Sequence, residues 1–193
     1  MSCGGDGGGG GGGCGMVAGC GGSVVANWQV VESCGNGSVT PEGCPTATVD
    51  TTGITYGGNI NMQANMTFSS TLTMGGSIKL TYPKMCLMQG GVTLSCADLT
   101  TALQSGAMMD PDSPIQSGSC AAAGDGCACT MTLKPQSMSE TGTYMTSGNV
   151  LSMDGASGME MFDYCVKGSN LHLRGSMPLP MGMTMSTGMV LKK

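Results

Sequence analysis

From Ser23 onward apolar and polar positions alternate along the chain, with threonine, valine and methionine recurring and glycine as punctuation. The clearest run lies between Ile60 and Phe68. Ile60, Met62, Ala64, Met66 and Phe68 share one face, and Asn61, Gln63, Asn65 and Thr67 share the other. That two-residue period predicts a half-buried strand pair. The pattern continues through Leu72, Met74, Ile78, Leu80 and Tyr82, with a break at Gly75-Gly76. Either Gln63–Asn65 or Ser69-Ser70 can carry the hairpin turn. Around the only tryptophan, Trp28, Val30 and Glu32 alternate with Gln29 and Val31 and predict a first strand. In the second half, Thr130–Lys134, Ser139–Thr146, Val150–Met153, Met159–Val166 and Leu171–Arg174 are strand segments bounded by turn residues. Gly148-Asn149, Asp154-Gly155 and Lys167-Gly168-Ser169-Asn170 read as hairpin connections, which join antiparallel neighbours rather than crossover helices.

One segment reads as a helix. Ser95 and Asp98 have the spacing of a capping box, Leu99 and Leu103 lie four apart on one face, and Gly106 is placed to close it as a left-handed cap. Met108 to Gly126, with its Pro and Asp turn signals and runs of small residues, reads as a long surface loop pinned by a disulfide. About eight hairpin-joined strands form either a sandwich or a barrel, and barrel closure removes the exposed edges. The expected fold is all-β: an antiparallel meander closing into a roughly eight-stranded barrel with one short helix, stapled by disulfides.

The amino end is different in kind. Residues 1–22 contain 13 glycines, seven of them consecutive from Gly7 to Gly13. Such a stretch has almost nothing to bury and predicts a flexible tether, leaving residues 23–193 as the folded domain. A small residue, Ser2, ahead of Cys3 and a glycine-rich spacer resembles the processed start of a bacterial lipoprotein, in which the cysteine carries the lipid. Cys3 is therefore the candidate lipidation site, although charged and apolar signal regions are absent from this stretch. Cys14 and Cys20 are placed to close a small loop within the tether.

Composition narrows the classes. The 193 residues carry 7 Lys+Arg against 12 Asp+Glu, a net charge of −5, with no basic cluster to neutralise phosphates; nucleic acid is excluded as a partner. No run of about 18 apolar residues exists to cross a membrane as a helix. The 11 cysteines point to an oxidising compartment, because thiols persist mainly in the cytosol. Cys34, Cys44, Cys86, Cys96, Cys120, Cys127, Cys129 and Cys165 are the candidate disulfide cysteines. The economical pairing is Cys34–Cys44, Cys86–Cys96 and two bridges among the last four. Eight cysteines nevertheless allow 105 arrangements. A zinc site is disfavoured, since Cys127-Ala128-Cys129 is the only close pair and His172 has no partner histidine.

Ala26-Asn27-Trp28 on a first strand, the meander that follows, and Tyr164-Cys165-Val166 entering a late hairpin resemble a lipocalin-like barrel. More particularly, the combination is similar to cysteine-rich, lipocalin-like bacterial lipoproteins of the myxobacterial type. Ala26 stands where the lipocalin Gly-x-Trp motif has glycine. Arg174, the only arginine, sits on a late strand where it can pack on the tryptophan. The resemblance covers about Val24 to Arg174. It implies a cup-like interior for a small apolar ligand.

The candidate cavity residues are Trp28, as a plug at the closed end, with Met62, Met66, Phe68, Leu72, Tyr144 and Met161. Met181, Met183 and Met185 form the alternative, a methionine motif for copper(I); methionine as flexible core filler explains the same residues. His172, flanked by Leu171 and Leu173, reads as a solvated strand residue. No nucleophile elbow, phosphate loop or calcium loop is present, so catalysis is not expected and no cofactor is implied. The expectation is a monomeric cell-envelope protein, in the periplasm, at the outer membrane or secreted, held to the membrane by lipid alone. A packed barrel serving a structural or adhesive role is the alternative to ligand binding.

Overall fold

The structure is a computed structural model that describes residues 18–36, 38–39, 44, 46–89, 92–109, 113–178 and 184–193. In chain order its strands are β1 (Ala26–Asn36), β2 (Ser38–Val39), β3 (Thr48–Asp50), β4 (Ile54–Met62), β5 (Thr67–Tyr82), β6 (Met88–Gln89) and β7 (Val92–Thr93). They continue with β8 (Ile115–Ala123), β9 (Gly126–Ser147), β10 (Val150–Gly155), β11 (Gly158–Lys167), β12 (Asn170–Pro178) and β13 (Thr184–Lys192). A 3-10 turn spans Lys84–Leu87, and the one described helix is α1 (Cys96–Met109). The chain divides into two compact units.

The first unit comprises Met1–Asn36, Thr55–Met74 and Gln136–Lys193. Its strands run in the order β5-β4-β1-β13-β12-β11-β10-β9, and β9 pairs back onto β5, so eight strands close a ring. Each neighbour is the next ring strand along the chain, except where β13 meets β1. That last pairing is antiparallel, from Gln29 opposite Lys192 to Asn36 opposite Ser186. It contains a bulge: Val30 faces Leu191 and Glu32 faces Val190, leaving Val31 unpaired and pointing to solvent. Two-residue alternation carries Trp28, Ile60, Met62, Phe68, Tyr144, Leu151, Phe162, Tyr164, Leu171 and Leu191 to the buried face. The opposite face is mainly polar, with Asn27, Gln29, Asn59, Thr71, Thr143, Asp163 and Arg174 all exposed, and it also carries exposed Val31, Met145 and Met161.

The second unit comprises Gly37–Ile54 and Gly75–Pro135. Here β2 pairs with β3, β3 with the later part of β5, and β8 with the first part of β9, around a core of Val49, Ile54, Ile78, Leu80, Leu87, Met131 and Leu133. Helix α1 begins with the capping box: Ser95 Oγ accepts from the Asp98 N–H at 3.1 Å, and the Asp98 carboxylate accepts from the Ser95 N–H at 2.9 Å. The Ser95 hydroxyl, which donates to the same carboxylate at 2.7 Å, and then the Ser95 N–H hold the Asp98 carboxyl below its ordinary value. The helix lies over β8. A Cβ at Gly118 would sit 3.0 Å from Leu103 Cβ, and Thr100 Oγ1 accepts from the Cys120 N–H at 2.8 Å.

Several expectations are corrected. The run from Met108 to Gly126 is not a loop throughout, because Ile115–Ala123 forms β8. Its glycine, serines and alanines carry little strand propensity of their own; they form a strand because small side chains let α1 approach. Gly106 does not end the helix, which continues to Met109. Thr130–Lys134 and Ser139–Thr146 are parts of one strand, β9. Pro135 is tolerated between Leu133, the last partner of β8, and Gly142, the first partner of β10. Strand β13 begins at Thr184 and takes in Met185, the last residue of the methionine motif, whose alternate spacing also fits one face of a strand.

Among the described residues the disulfides are Cys20–Cys165 in the first unit and Cys44–Cys86, Cys96–Cys127 and Cys120–Cys129 in the second. The pairing of cysteines ten apart is overturned, as is a Cys14–Cys20 loop. Spacing does not decide the pairing: Cys44–Cys86 and Cys96–Cys127 span 42 and 31 residues, while the hairpin of β8 and β9 places Cys120 directly opposite Cys129, nine residues on. Cys14 and the Cys34 side chain lie outside the described residues. Peptide mapping without reduction is expected to recover these four linkages; a Cys34–Cys44 or Cys86–Cys96 peptide would contradict the fold. Replacing Cys96 and Cys127 with alanine, which opens a span of 31 residues, is expected to cost about 2–4 kcal/mol in denaturant unfolding.

Candidate functional site

The interior of the ring is the candidate site, and it is sealed at one end. Trp28 is fully buried, and its indole N–H donates to the Val24 carbonyl at 2.6 Å. That bond turns the chain just ahead of β1 back beneath the ring. The Lys193 ammonium stands 5.6 Å from the tryptophan ring centroid, a cation–π contact. Arg174, the cation expected there, is exposed on β12 opposite Asp163.

The segment before β1 completes the seal. Cys20 and Gly21 both donate their N–H to the Tyr164 carbonyl, at 3.0 and 3.1 Å, and Val166 donates to the Gly21 carbonyl at 2.9 Å. The Tyr164 hydroxyl donates to the Gly22 carbonyl at 3.1 Å, and Cys20 is disulfide-bonded to Cys165. Gly21 requires glycine, because its φ is +73° and a Cβ there would meet the Gly148 carbonyl. Sequence composition places Cys20–Gly22 in the tether, but they are fixed to β11. Residues 1–17, including the candidate lipidation site Cys3, lie outside the described residues.

Above the seal, small residues make room for rings. A Cβ at Gly142 would sit 2.8 Å from the Phe68 ring, and one at Gly175 would sit 2.5 Å from the Phe162 ring. Farther along, half-buried residues interrupt the inner face, and Met74 and Tyr56 beyond them are buried again. On β5 the inward residues pass from buried Phe68 and Ser70 to half-buried Leu72. On β11 the alternation that buries Tyr164 and Phe162 next presents Glu160, half-buried. Burial, and secondarily the nearby Glu140, push the Glu160 carboxyl above its ordinary value. Tyr56 is 8% exposed, and burial, then Glu160, raise its phenol. Glu140 is engaged at the β10–β11 turn, accepting from the Ser157 N–H at 2.9 Å and from its hydroxyl at 2.6 Å.

Of the expected cavity residues, Trp28, Met62, Phe68 and Tyr144 come together in the buried interior, and Leu72 lies on the same side farther up. Two do not. Met66 sits in the β4–β5 turn with φ +64° and is 52% exposed, since the chain reverses there and the alternation does not continue through it. Met161 is 66% exposed, because Phe162 and Tyr164, not Met161, set the inward parity of β11. Missed entirely were Leu151, Leu171, Leu191, Tyr56 and Glu160. The aromatic pair two residues apart at Phe162 and Tyr164 was the available signal for Glu160.

Met181 and Met183 lie outside the described residues. Met185 is opposite Met177 in the β12–β13 pairing, and its side chain is not described. His172 is on the outward face. Burial chiefly, with Lys167, holds its imidazole below the ordinary value, and Glu32 opposes this. Among the described residues no three of His, Cys, Asp or Glu gather as a metal site. Comparison with known protein families, curated proteins and solved structures yields no match.

Because the folded-state pKa of Glu160 lies above its unfolded value, the folded protein binds this proton more readily. The resulting stabilisation is full below about pH 4.5 and is lost as pH rises through the folded value. Glu160→Gln is therefore expected to raise Tm at pH 7 and to flatten the decline between pH 4 and 7; equal Tm at both pH values in the parent protein would contradict this. Met66→Gly is expected to relieve roughly 1 kcal/mol of left-handed strain, raising Tm by about 2–4 °C in thermal unfolding.

Proposed function

We propose that the protein is a cell-envelope or secreted barrel that binds one small, mainly apolar molecule without transforming it. The observation that carries this reading is the graded inner face. It is sealed and apolar at Trp28 and partly accessible at Leu72 and Glu160. An eight-stranded barrel is just wide enough to be filled or to hold one small ligand. A ligand with an apolar body and a single hydrogen-bond donor matches Leu72 and Phe68 on one side and the Glu160 carboxylate and Tyr56 phenol on the other.

Most exposed outward residues of the ring are polar, Asn27, Gln29, Asn59, Thr71, Thr143, Asp163 and Arg174 among them, with Val31, Met145, Met159 and Met161 as apolar exceptions. This is unlike the continuous apolar band of a barrel that meets lipid. Membrane attachment in this reading runs only through a lipid on Cys3. The described chain reaches the ring at Cys20, beside the seal. The resemblance to lipocalin-like lipoproteins supports the same reading, as does a cation packed on Trp28.

A second reading, a filled barrel with a structural or adhesive role, is favoured by the Phe68 and Phe162 rings, which occupy the space over Gly142 and Gly175. Native mass spectrometry of protein from its own host, combined with titration of the apolar fluorophore N-phenyl-1-naphthylamine, separates the two. Ligand binding predicts a co-purifying small molecule and a saturable signal. Leu72→Glu weakens that signal at least tenfold, about 1.4 kcal/mol, while the outward Val31→Glu leaves it unchanged. A mass matching the bare chain and no fluorescence response would establish the filled barrel instead.

A further inference from the structure

Several methionines are exposed and serve neither the interior nor the seal, and three of them lie on neighbouring strands. Met145, Met159 and Met161 are 63%, 64% and 66% exposed, so the packing role that explains Met62, Met74, Met153 and Met189 does not extend to them. Register gathers them on one outward patch. Ser152 on β10 is opposite Met145 on β9 and opposite Met161 on β11, and the adjoining Asp154 is opposite Met159. Adjacent strands are about 4.8 Å apart and alternate residues of one strand about 6.8 Å apart. Met145 and Met161 thus flank a single small serine, with Met159 one outward position farther along. Ser152 is half-buried although it lies on the solvent face, as expected when long side chains fold over it.

We infer that Met145, Met159 and Met161 form a binding site for one soft monovalent metal ion, copper(I) or its analogue silver(I), held by three thioether sulfurs. Thioethers are neutral, need no deprotonation and select soft cations over zinc or calcium. Methionine has three rotatable bonds and a polarizable sulfur, so three such side chains can converge above Ser152 without moving the backbone. The exposed carboxylate of Asp154, opposite Met159 on the same outward face, favours a cation there, whereas Asp163 already faces Arg174. This site is separate from the interior and stands whether or not the ring binds a ligand. It is also distinct from the Met181, Met183 and Met185 motif.

The test uses the full chain with its disulfides intact, remaining thiols blocked with iodoacetamide, and methionine methyl groups labelled with carbon-13. Silver(I) is titrated and each methyl resonance followed. The expected result is that Met145, Met159 and Met161 shift together and saturate near one equivalent. Met145→Leu and Met161→Leu, which conserve volume, each weaken binding at least tenfold, and the buried Met62→Leu does not. The inference is overturned if these three resonances stay in place while those of Met181, Met183 or Met185 move. It is equally overturned if the two surface variants bind silver as tightly as the parent chain.

Discussion

The antiparallel pairing of β13 with β1 is the contact on which the rest of the first unit depends. It joins strands more than a hundred residues apart in sequence, and without it the ring is an open sheet with two unpaired edges. It also assembles the seal. Gln29 opposite Lys192 fixes where the chain ends relative to Trp28, and Lys193 reaches the indole from there. The bulge at Val31 absorbs the one-residue mismatch between the two strands, so that pairing continues through Asn36 opposite Ser186.

Alternation made the strands of the ring legible wherever a run was long and its polar positions were strongly polar. Ile60–Phe68 and Met159–Val166 are such runs. The same alternation failed at Met66 and Met161 for opposite reasons. At Met66 the chain turns, so the parity is interrupted. At Met161 a run of methionine, phenylalanine and tyrosine is apolar on both faces, and only the aromatic residues mark the inside. Strands made of small residues were invisible. Ser117, Gly118, Ser119 and Ala121–Ala123 carry no periodic signal, and their pairing is decided by β9 beneath them and α1 above. The capping box at Ser95 was readable because it is a local interaction. The disulfide pairing was not, because it is set by register between segments that the sequence does not order.

The two units are held by different means. The first has a ring of eight strands, a buried tryptophan and several buried aromatics, with one disulfide among the described residues. The second has short strands, one helix of modest apolar content and three disulfides. Cross-links are concentrated where the apolar core is thinnest, as in small domains that cannot bury enough surface by folding alone. Methionine takes the place of missing phenylalanine in both units, at Met62, Met74, Met153 and Met189 in one and Met131 in the other.

The Cys20–Cys165 bond also decides how the molecule bears load. Tension applied to the residues ahead of Cys20 passes covalently into β11 near its carboxyl end, where Cys165 lies between His172 of β12 and the Gly21 bridge. Strand β1 is thereby shielded, and a pull cannot unzip it from the ring one hydrogen bond at a time. Cleaving that single sulfur bridge redirects the force to the first strand and converts a shear-resistant attachment into a peeling one.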